Sequence, residues 1–140
     1  MIEYLTGTDS IDYESLFQLY IEVDGVIGLA RKGKLEKIKR AFLNSYSVVT
    51  AWDGNRIVGA GRMISDNECY GWIHDMGVLP SYRKMGIGKG VVDELICGNE
   101  KLLIGLTSSF DAIVFYKKLG FKKHKTAMAI YPGDSIYLED

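Results

Sequence analysis

The segment from Arg83 to Gly90 combines three glycines with three cationic side chains, and this pattern can bind a phosphate group. It follows an apolar strand-like run that ends at Leu79, and it precedes a stretch of helical periodicity that starts at Ile87. The first N–H groups of a helix have no partner within it, and the helix dipole adds about half a positive charge there. Because glycine has no Cβ, we expect an anion to approach the backbone closely at Gly86 and Gly88.

Two common phosphate-binding loops do not fit this segment. A P-loop requires Ser or Thr after its lysine, whereas Lys89 is followed by Gly90. The dinucleotide pattern G-x-G-x-x-G fails because Gly88 is followed by Lys89, Gly90 and Val91. Taken alone, the glycines are equally typical of an ordinary glycine-rich turn.

Apolar periodicity predicts the elements that must hold this segment in place. Helices are expected over residues 12–23, 34–44, 87–97 and 111–119, and strands over residues 2–5, 46–52, 56–64, 69–79, 102–106 and 121–131, with 135–138 as one further candidate. The order is β-α-α-β-β-β-α-β-α-β, without repeats or linkers, so we expect one domain over residues 1–140. A three-strand meander followed by β-α-β units predicts an α/β (α+β) fold with a mixed sheet and helices on both faces.

Charge and composition exclude several classes of protein. The net charge of −1 argues against nucleic-acid binding, which usually requires a basic excess. No apolar run approaches the roughly 18 residues of a membrane span, and the N-terminus does not resemble a signal peptide. Cys69 and Cys97 fit no metal-ligand spacing, so we expect reduced thiols and no metal. Together these features predict a cytoplasmic protein.

Two motifs connect the chain to a known family. The pattern V-x-P-x-Y-R-x-x-G-x-G over residues 78–88 resembles motif A of the GNAT superfamily, whose core is Arg/Gln-x-x-Gly-x-Gly/Ala. About 30 residues later, F-Y-K-K-L-G-F over residues 115–121 resembles the second signature of that family. Both motifs occur in the expected order, and the resemblance extends to the element order of the whole chain. It implies a GNAT fold, with a mostly antiparallel sheet of six to seven strands and about four helices.

The resemblance implies an N-acetyltransferase that moves an acetyl group from acetyl-CoA to a primary amine by direct attack on the thioester. The strands over residues 72–79 and 102–108 would separate around the pantetheine arm, and the diphosphate would lie on the loop backbone. The Val78 N–H would donate to the thioester oxygen. Ser109 stands where many relatives have asparagine, and its shorter side chain would weaken that contact. The implied cofactor-binding residues are Met76, Val78, Arg83, Lys84, Met85, Gly86, Ile87, Gly88, Lys89 and Ser109.

Tyr116 matches the tyrosine that serves as general acid in the family. Its phenol has an ordinary pKa near 10 and the leaving thiol one near 8.5, so full proton transfer costs about 2 kcal/mol. We therefore expect Tyr116 to act mainly as a hydrogen-bond donor to the developing thiolate. The structural alternative is an aromatic core residue beside Phe115 and Phe121.

His74 is the candidate base. It lies four residues before Val78, and some family members have a histidine there. Removing a proton from an amine with pKa near 10.4 costs about 4.6 kcal/mol at pH 7, and an imidazole near 6.5 can assist. A structural histidine, a water molecule, or Asp75 turned into the cleft by a β-bulge are the alternatives. Trp72 stands where some relatives have a catalytic glutamate, so that mechanism does not carry over.

The acceptor is not encoded in any motif of the sequence. The resemblance favours a small-molecule amine, bound near residues 24–34, where Asp24 could attract a cation. Asp66 and Glu68 are weaker candidates. A non-catalytic acyl-CoA-binding module and a protein lysine or N-terminal acetyltransferase remain alternatives, and a homodimer is also open because dimers are common in the family.

Overall fold

The computed structural model describes residues 1–23 and 34–140. Asp24 and most of the expected acceptor segment therefore lie outside the described residues. Within the described residues, no helix is long and apolar enough to cross a membrane.

Five strands form one sheet in the order β1-β2-β3-β4-β5. The first three pairings are antiparallel, and β4 pairs with β5 in parallel. In the part of the chain that the structure describes, four helices flank the sheet, which confirms the predicted mixed α/β fold. The strands are β1 (Ile2–Thr6), β2 (Ser47–Asp53), β3 (Arg56–Ser65), β4 (Tyr70–Val78) and β5 (Leu103–Leu106), and the helices are α1 (Tyr13–Glu22), α2 (Leu35–Leu43), α3 (Ile87–Ile96) and α4 (Ile113–Lys118).

Local signals in the sequence fix the ends of several elements. The Asp12 side chain accepts a hydrogen bond from the Glu14 N–H at 3.1 Å, so Asp12 caps α1. Gly54, with a φ of 61°, occupies the tight turn between β2 and β3. Gly98, with a φ of 81°, follows the end of α3.

The helices cover opposite faces of the sheet. A Cβ added to Gly77 of β4 would meet the ring of Tyr20, which belongs to α1. A Cβ added to Gly61 of β3 would instead meet Val91 and Leu95 of α3. Tyr20 is fully buried, and its ring lies 6.0 Å from that of Phe42 in α2. The sheet therefore separates an α1/α2 face from an α3 face.

The strand prediction for the C-terminal residues is wrong. The chain forms no strand over residues 121–131 or 135–138, so the sheet has five strands among residues 1–23 and 34–140 instead of six to seven. Alternating residue types alone do not make a strand, because each strand also needs a neighbour for its backbone hydrogen bonds and a surface for its apolar face. Here the Met128 and Ile130 side chains are 96% and 99% exposed.

Candidate active site

The parallel strands β4 and β5 separate near the middle of β4. Their last paired residues are Ile73 and Leu106, whereas β4 continues to Val78. Five residues of β4, from His74 to Val78, therefore border a gap on the side where β5 would otherwise continue. This separation of two parallel strands is the feature that the sequence predicts for the pantetheine arm.

The backbone of Val78 faces this gap. The N–H of the next residue, Leu79, donates to the Val58 carbonyl of β3 at 2.9 Å. Because successive residues of a strand direct their N–H and C=O groups to opposite sides, both groups of Val78 are directed away from β3. Met76, two residues earlier on the same strand, has the same orientation. The two residues predicted to bind the pantetheine thus present backbone donors and acceptors to the gap.

The glycine-containing loop follows directly at the end of β4. A short 3-10 turn over Pro80–Tyr82 leads into Arg83–Gly86, which is exposed. Both Lys84 and Gly86 have positive φ angles, of 66° and 78°. Gly86 is the N-cap of α3, and its carbonyl accepts the first helical hydrogen bond, from the Gly90 N–H at 3.0 Å.

The first-turn amides of α3, at residues 87–89, point toward this exposed loop and precede that first helical bond. Nothing would lie within 4 Å of a Cβ at Gly86. The sequence therefore predicts the shape of this loop correctly: an open backbone that carries unpaired donors at a helix N-terminus.

At Gly88 the structure requires glycine for packing, whereas the sequence indicates space for an anion. A Cβ there would lie 3.0 Å from the ring of Phe115 in α4 and 3.8 Å from a side-chain carbon of Val78. The residue thus permits close packing between elements instead of leaving space for a ligand. Consequently, the start of α3, the end of β4 and the helix that carries Tyr116 converge at Gly88, with Ile87 buried beside it.

The cationic side chains of the loop are not equivalent. Lys89 donates to Asp93 one helical turn later, at 2.6 Å, in an exposed pair. Arg83 and Lys84 are exposed and precede the helix. Met85 is also exposed, at 59%. The other two cationic side chains, Arg83 and Lys84, therefore place their positive charge at the end of the loop that is next to β4.

The bulge in β4 occurs at Asp75. The register between β3 and β4 shifts between Ala60 and Arg62, and Asp75 has a φ of 58°. Its carboxylate accepts a hydrogen bond from Arg62 Nε at 2.6 Å, and its backbone carbonyl accepts one from the Tyr20 hydroxyl at 2.5 Å. The Asp75 carboxylate is thus held by a cation on the α1/α2 face, which makes it a poor candidate for a free base.

His74 lies on the same face, because it pairs directly with Arg62. It is half-buried, and burial, followed by the nearby Arg62 charge, lowers its pKa below 6.5. At pH 7 its imidazole is therefore neutral and able to accept a proton. Trp72, two residues earlier, lies on the same face, and its ring packs over Gly105 of β5. An indole therefore occupies the position at which some relatives have a carboxylate.

Tyr116 is buried in an aromatic cluster at the start of the second signature. Its ring meets Phe115 edge-on at 5.0 Å and Phe121 at 5.7 Å. Burial raises the pKa of Tyr116 to about 12. The side chain therefore remains protonated at any physiological pH and can act as a hydrogen-bond donor. Tyr116 is thus buried among aromatic side chains, as the structural alternative expects, and the Phe115 next to it packs on Gly88. Its role as a donor to the thiolate stays a prediction.

Ser109 lies in the segment between β5 and α4. It is exposed and begins the 3-10 turn Phe110–Ala112, where its carbonyl accepts hydrogen bonds from the Ala112 N–H at 3.2 Å and the Ser108 hydroxyl at 2.7 Å. Asp66, another acidic candidate, uses one oxygen to accept three backbone N–H groups in its turn, which lowers its pKa to about 2. Its carboxylate is thus engaged within the turn.

Sequence analysis misses two residues that shape the site, Arg62 and Tyr20. Arg62 lies over the ring of Phe42 at 5.8 Å while it holds Asp75. A signal for Arg62 exists, because it is a charged residue in the interior of a strand, with apolar residues or glycines on both sides. Nothing in the local sequence distinguishes Tyr20 from other core tyrosines.

The fold and the site combine a separated pair of parallel strands with a glycine loop at a helix N-terminus. The family model described as "Acetyltransferase (GNAT) domain" matches residues 44–123. The chain therefore belongs to the GNAT acetyltransferase family, and it is an acyltransferase. Within the described residues, no group of three or more His, Cys, Asp or Glu side chains could hold a metal ion.

Individual relatives agree with this assignment. The chain is 35% identical over 127 residues to an uncharacterized N-acetyltransferase, ycf52, of Pyropia yezoensis, covering 86% of this chain and 70% of that protein. A probable acetyltransferase of Staphylococcus aureus has the same fold, with a TM-score of 0.78 at 21% identity over 96% of this chain and all of that one.

Relatives with named acceptors are more distant and differ from each other. A histone acetyltransferase, TAP1, of Glycine max is 31% identical over 63% of this chain and 44% of its own length. A glucosamine 6-phosphate N-acetyltransferase of Trypanosoma brucei brucei is 34% identical over 54% of this chain and 57% of its own length.

Proposed function

We propose that this chain transfers an acetyl group from acetyl-CoA to the primary amine of a small molecule. The observation that carries the proposal is the Val78 backbone, whose N–H and C=O groups face the gap between β4 and β5. An open loop with first-turn helix amides lies at the end of the same strand. These features fit a ligand with a strand-like amide arm and a diphosphate.

Each residue has a distinct task in this proposal. The backbone of residues 83–88 and the first turn of α3 bind the diphosphate, and Met76 and Val78 bind the pantetheine amides. Bound acetyl-CoA supplies the acyl group as a reactive thioester. The Val78 N–H donates to the carbonyl oxygen as negative charge develops there, which is the usual role of an oxyanion-hole amide.

His74 accepts a proton from the attacking amine, directly or through one water molecule. Its lowered pKa keeps it neutral at pH 7, although it also makes the imidazole a weaker base. Asp75 is disfavoured as the base because Arg62 engages its carboxylate at 2.6 Å. Water alone remains the alternative to His74.

Tyr116 donates a hydrogen bond to the leaving sulfur. With its pKa near 12 and a thiol near 8.5, complete proton transfer would cost about 5 kcal/mol. A donor that retains its proton avoids this cost while it still stabilises the thiolate. The raised pKa therefore favours hydrogen bonding over general acid catalysis more strongly than the sequence alone does.

The acceptor is proposed only as a class. A glucosamine 6-phosphate N-acetyltransferase among the relatives favours a small amine, and a histone acetyltransferase among them makes a protein lysine the second candidate. A metal-free reaction in the cytoplasm, without nucleic acid or membrane, completes the proposal.

The test combines binding with turnover. Calorimetry with acetyl-CoA and with CoA should give heats of binding, and thiol release should appear with one class in a panel of amino sugar phosphates, polyamines, amino acids and histone-tail peptides. Tyr116→Phe should lower kcat about 10- to 100-fold, as expected for one hydrogen bond to a charged group, with little change in CoA affinity. Tyr70→Phe, at an exposed position of β4, is the matched control.

Three outcomes would count against parts of this proposal. An absence of heat with both CoA forms would remove the cofactor assignment. Tight binding without thiol release across the panel would support a non-catalytic acyl-CoA module. An unchanged kcat in Tyr116→Phe would remove its role.

A further inference from the structure

The side chains of β4 change faces of the sheet at Asp75. Before it, His74 lies on the α1/α2 face, where it pairs with Arg62. Two residues after His74, a regular strand would return to that face. Met76 instead packs on the α3 face, because its sulfur is the atom nearest to a Cβ added at Gly61. The alternation of the strand is therefore inverted at this point.

The pairing between β3 and β4 contains one extra residue on the β4 side. His74 lies opposite Arg62, and Gly77 lies opposite Ala60. Two residues of β4 therefore share the place opposite Gly61, which is the arrangement of a β-bulge. The extra residue accounts for the inverted alternation.

This bulge decides the direction of the Val78 N–H. If β4 lost the extra residue while His74 kept its place, every later residue would move one position along β3. Val78 would then take the position of Leu79, whose N–H donates to the Val58 carbonyl at 2.9 Å. The proposed oxyanion donor would face β3 instead of the gap. The bulge is therefore what lets His74 and the Val78 N–H serve the same gap.

The bulge has a backbone conformation that requires support from outside the strand. Asp75 has a φ of 58°, which is uncommon for a residue other than glycine. Such a conformation persists only where surrounding contacts hold it. Tyr20 of α1 supplies one of these contacts, because its hydroxyl donates to the Asp75 carbonyl at 2.5 Å. Its ring also lies against Gly77, where an added Cβ would be 3.3 Å away.

Tyr20 is itself held firmly enough to support the bulge. Its side chain is fully buried, and its ring lies 6.0 Å from that of Phe42. Burial, followed by the Asp75 charge, raises the pKa of Tyr20 well above its usual range, so the hydroxyl keeps its proton and remains a donor. Arg62 binds the Asp75 carboxylate, whereas Tyr20 binds the backbone itself.

We propose that Tyr20 is a positioning residue for acetyl transfer, and that its hydroxyl fixes the bulge that directs the Val78 N–H into the gap. The inference rests on the proposed function, because Val78 is the oxyanion donor of that reaction. A displacement of about 1 Å can reduce the rate of a reaction about 100-fold. The loop over residues 83–88 has its own backbone geometry at the other end of this segment, so loss of the hydroxyl should affect turnover more than CoA binding.

The first experiment separates turnover from binding in Tyr20→Phe, which keeps the ring and removes only the hydroxyl. With the acceptor found in the amine panel, kcat should fall about 10- to 100-fold, while the calorimetric Kd for CoA should change less than about 3-fold. Urea denaturation would verify that the variant is folded under the assay conditions. An unchanged kcat would overturn the proposal, and so would a loss of CoA affinity as large as the loss of kcat.

Tyr46→Phe is the matched control. It also removes an engaged tyrosine hydroxyl, which lies 2.8 and 3.0 Å from the side-chain oxygens of Asn67 and Asn99. Both partners lie outside β4, so kcat should remain that of the wild type. A loss equal to that of Tyr20→Phe would assign the effect to a general loosening of the fold and would contradict the proposal.

A second pair of variants tests the backbone conformation at the bulge. Glycine adopts a positive φ without a steric cost, so Asp75→Gly reduces the need for the Tyr20 hydroxyl. In an Asp75→Gly background, Tyr20→Phe should therefore reduce kcat by a smaller factor than it does in the wild type. The same factor in both backgrounds would mean that the hydroxyl acts elsewhere, and the proposal would be wrong.

The last experiment examines the geometry without any ligand. In protein labelled with nitrogen-15, the backbone amide resonances of residues 76–78 should shift in Tyr20→Phe, whereas those of residues 86–89 should keep their positions. Shifts confined to α1 would show that the hydroxyl does not hold the bulge. If the wild type gave no heat with CoA, the proposed function would fail, but these resonances would still decide whether Tyr20 sets the direction of the Val78 N–H.

Discussion

The part of β4 that does not pair with β5 is held in different ways at its two ends. At the beginning, the bulge at Asp75 is held by side chains that are distant in sequence, since Tyr20 donates to its carbonyl and Arg62 to its carboxylate. At the end, the loop after Leu79 depends more on local backbone geometry, with positive φ angles at Lys84 and Gly86, although the Tyr82 hydroxyl also donates to the Asp53 carboxylate of β2 at 2.5 Å. One strand thus joins a site half that depends on tertiary contacts to a half that depends mainly on contiguous residues.

This difference indicates how each half should respond to mutation. Loss of a tertiary contact at the bulge should reduce the stability of the whole sheet and disturb the neighbouring base. Changes in the loop should leave the core intact and act mainly on cofactor affinity. Comparing stability with CoA binding for variants at each end would therefore test whether the two halves are independent.

The largest effect is expected from Arg62→Met. The change would leave the Asp75 carboxylate, only 18% exposed, without its cation, and we expect a loss of about 3 kcal/mol in the free energy of unfolding. Urea denaturation would measure it. CoA affinity should change less than stability if the two halves are independent.

Arg56→Met is the control for this variant. Arg56 pairs with Glu22 at 3.6 Å, but both side chains are about half exposed. Such surface pairs contribute about 0–1 kcal/mol. Equal losses for the two arginine variants would mean that the Asp75 pair has no special role.

The next effect concerns His74 at the same end of the gap. Because burial and Arg62 lower its pKa, the active neutral form should persist below pH 6.5, and kcat/KM should fall only as the pH drops through that lowered pKa. His74→Ala should reduce the plateau about 100-fold and remove this acid limb. His124→Ala changes the other histidine, which is exposed in the C-terminal residues, and should leave the profile unchanged.

The free energy of unfolding of the wild type should also depend on pH through His74. The unfolded state takes up a proton near pH 6.5, whereas the folded state does so only at lower pH. The contribution of His74 to stability should therefore decrease as the pH falls from 6.5 through the folded pKa. If His74→Ala left the pH–rate profile unaltered, the base would be water and not His74.

At the loop end, Gly86→Ala should mainly weaken cofactor binding. The added Cβ has nothing within 4 Å, but the φ of 78° costs an L-residue roughly 1–2 kcal/mol. Relief of this strain would tilt the first-turn amides of α3, so we expect CoA affinity to fall about 10-fold. Calorimetry would measure the loss, and unchanged affinity would exclude this geometry from binding.

The contiguous half of the site was predictable from sequence, and the bulge half was not. The strand, glycine loop and helix over residues 70–96 carry their own local signals, including apolar periodicity and the glycines of the loop, and the structure has both ends of the strand and of the helix within one residue of the expected positions. The ion pair between Arg62 and Asp75 joins two strands, so no local pattern contains it. Gly88 shows the same limit, because Phe115 lies 27 positions later in the chain.

The C-terminal residues show why a pattern can be present without its structure. Residues 122–131 have the alternation of a strand, but strand formation depends on an available neighbour, which the sequence does not specify. The same alternation was informative for β2 and β3, because their shared turn at Gly54 brings the two strands together. Local sequence thus predicts pairings that a short turn enforces far better than pairings that need a distant partner.

The smallest effect is expected at Lys89, and it would sharpen the comparison from the loop side. Lys89 pairs with Asp93 in an exposed contact at 2.6 Å, and such a pair adds only about 0.3–0.5 kcal/mol to a helix. Lys89→Ala should therefore leave stability almost unchanged and weaken CoA binding less than Lys84→Ala, whose side chain is closer to the strand end of the loop. Calorimetry on both variants in low salt would compare them, since screening is weakest there. If Lys89→Ala caused the greater loss, the diphosphate would lie over the helix side of the loop, and the backbone amides would share its binding with a side chain.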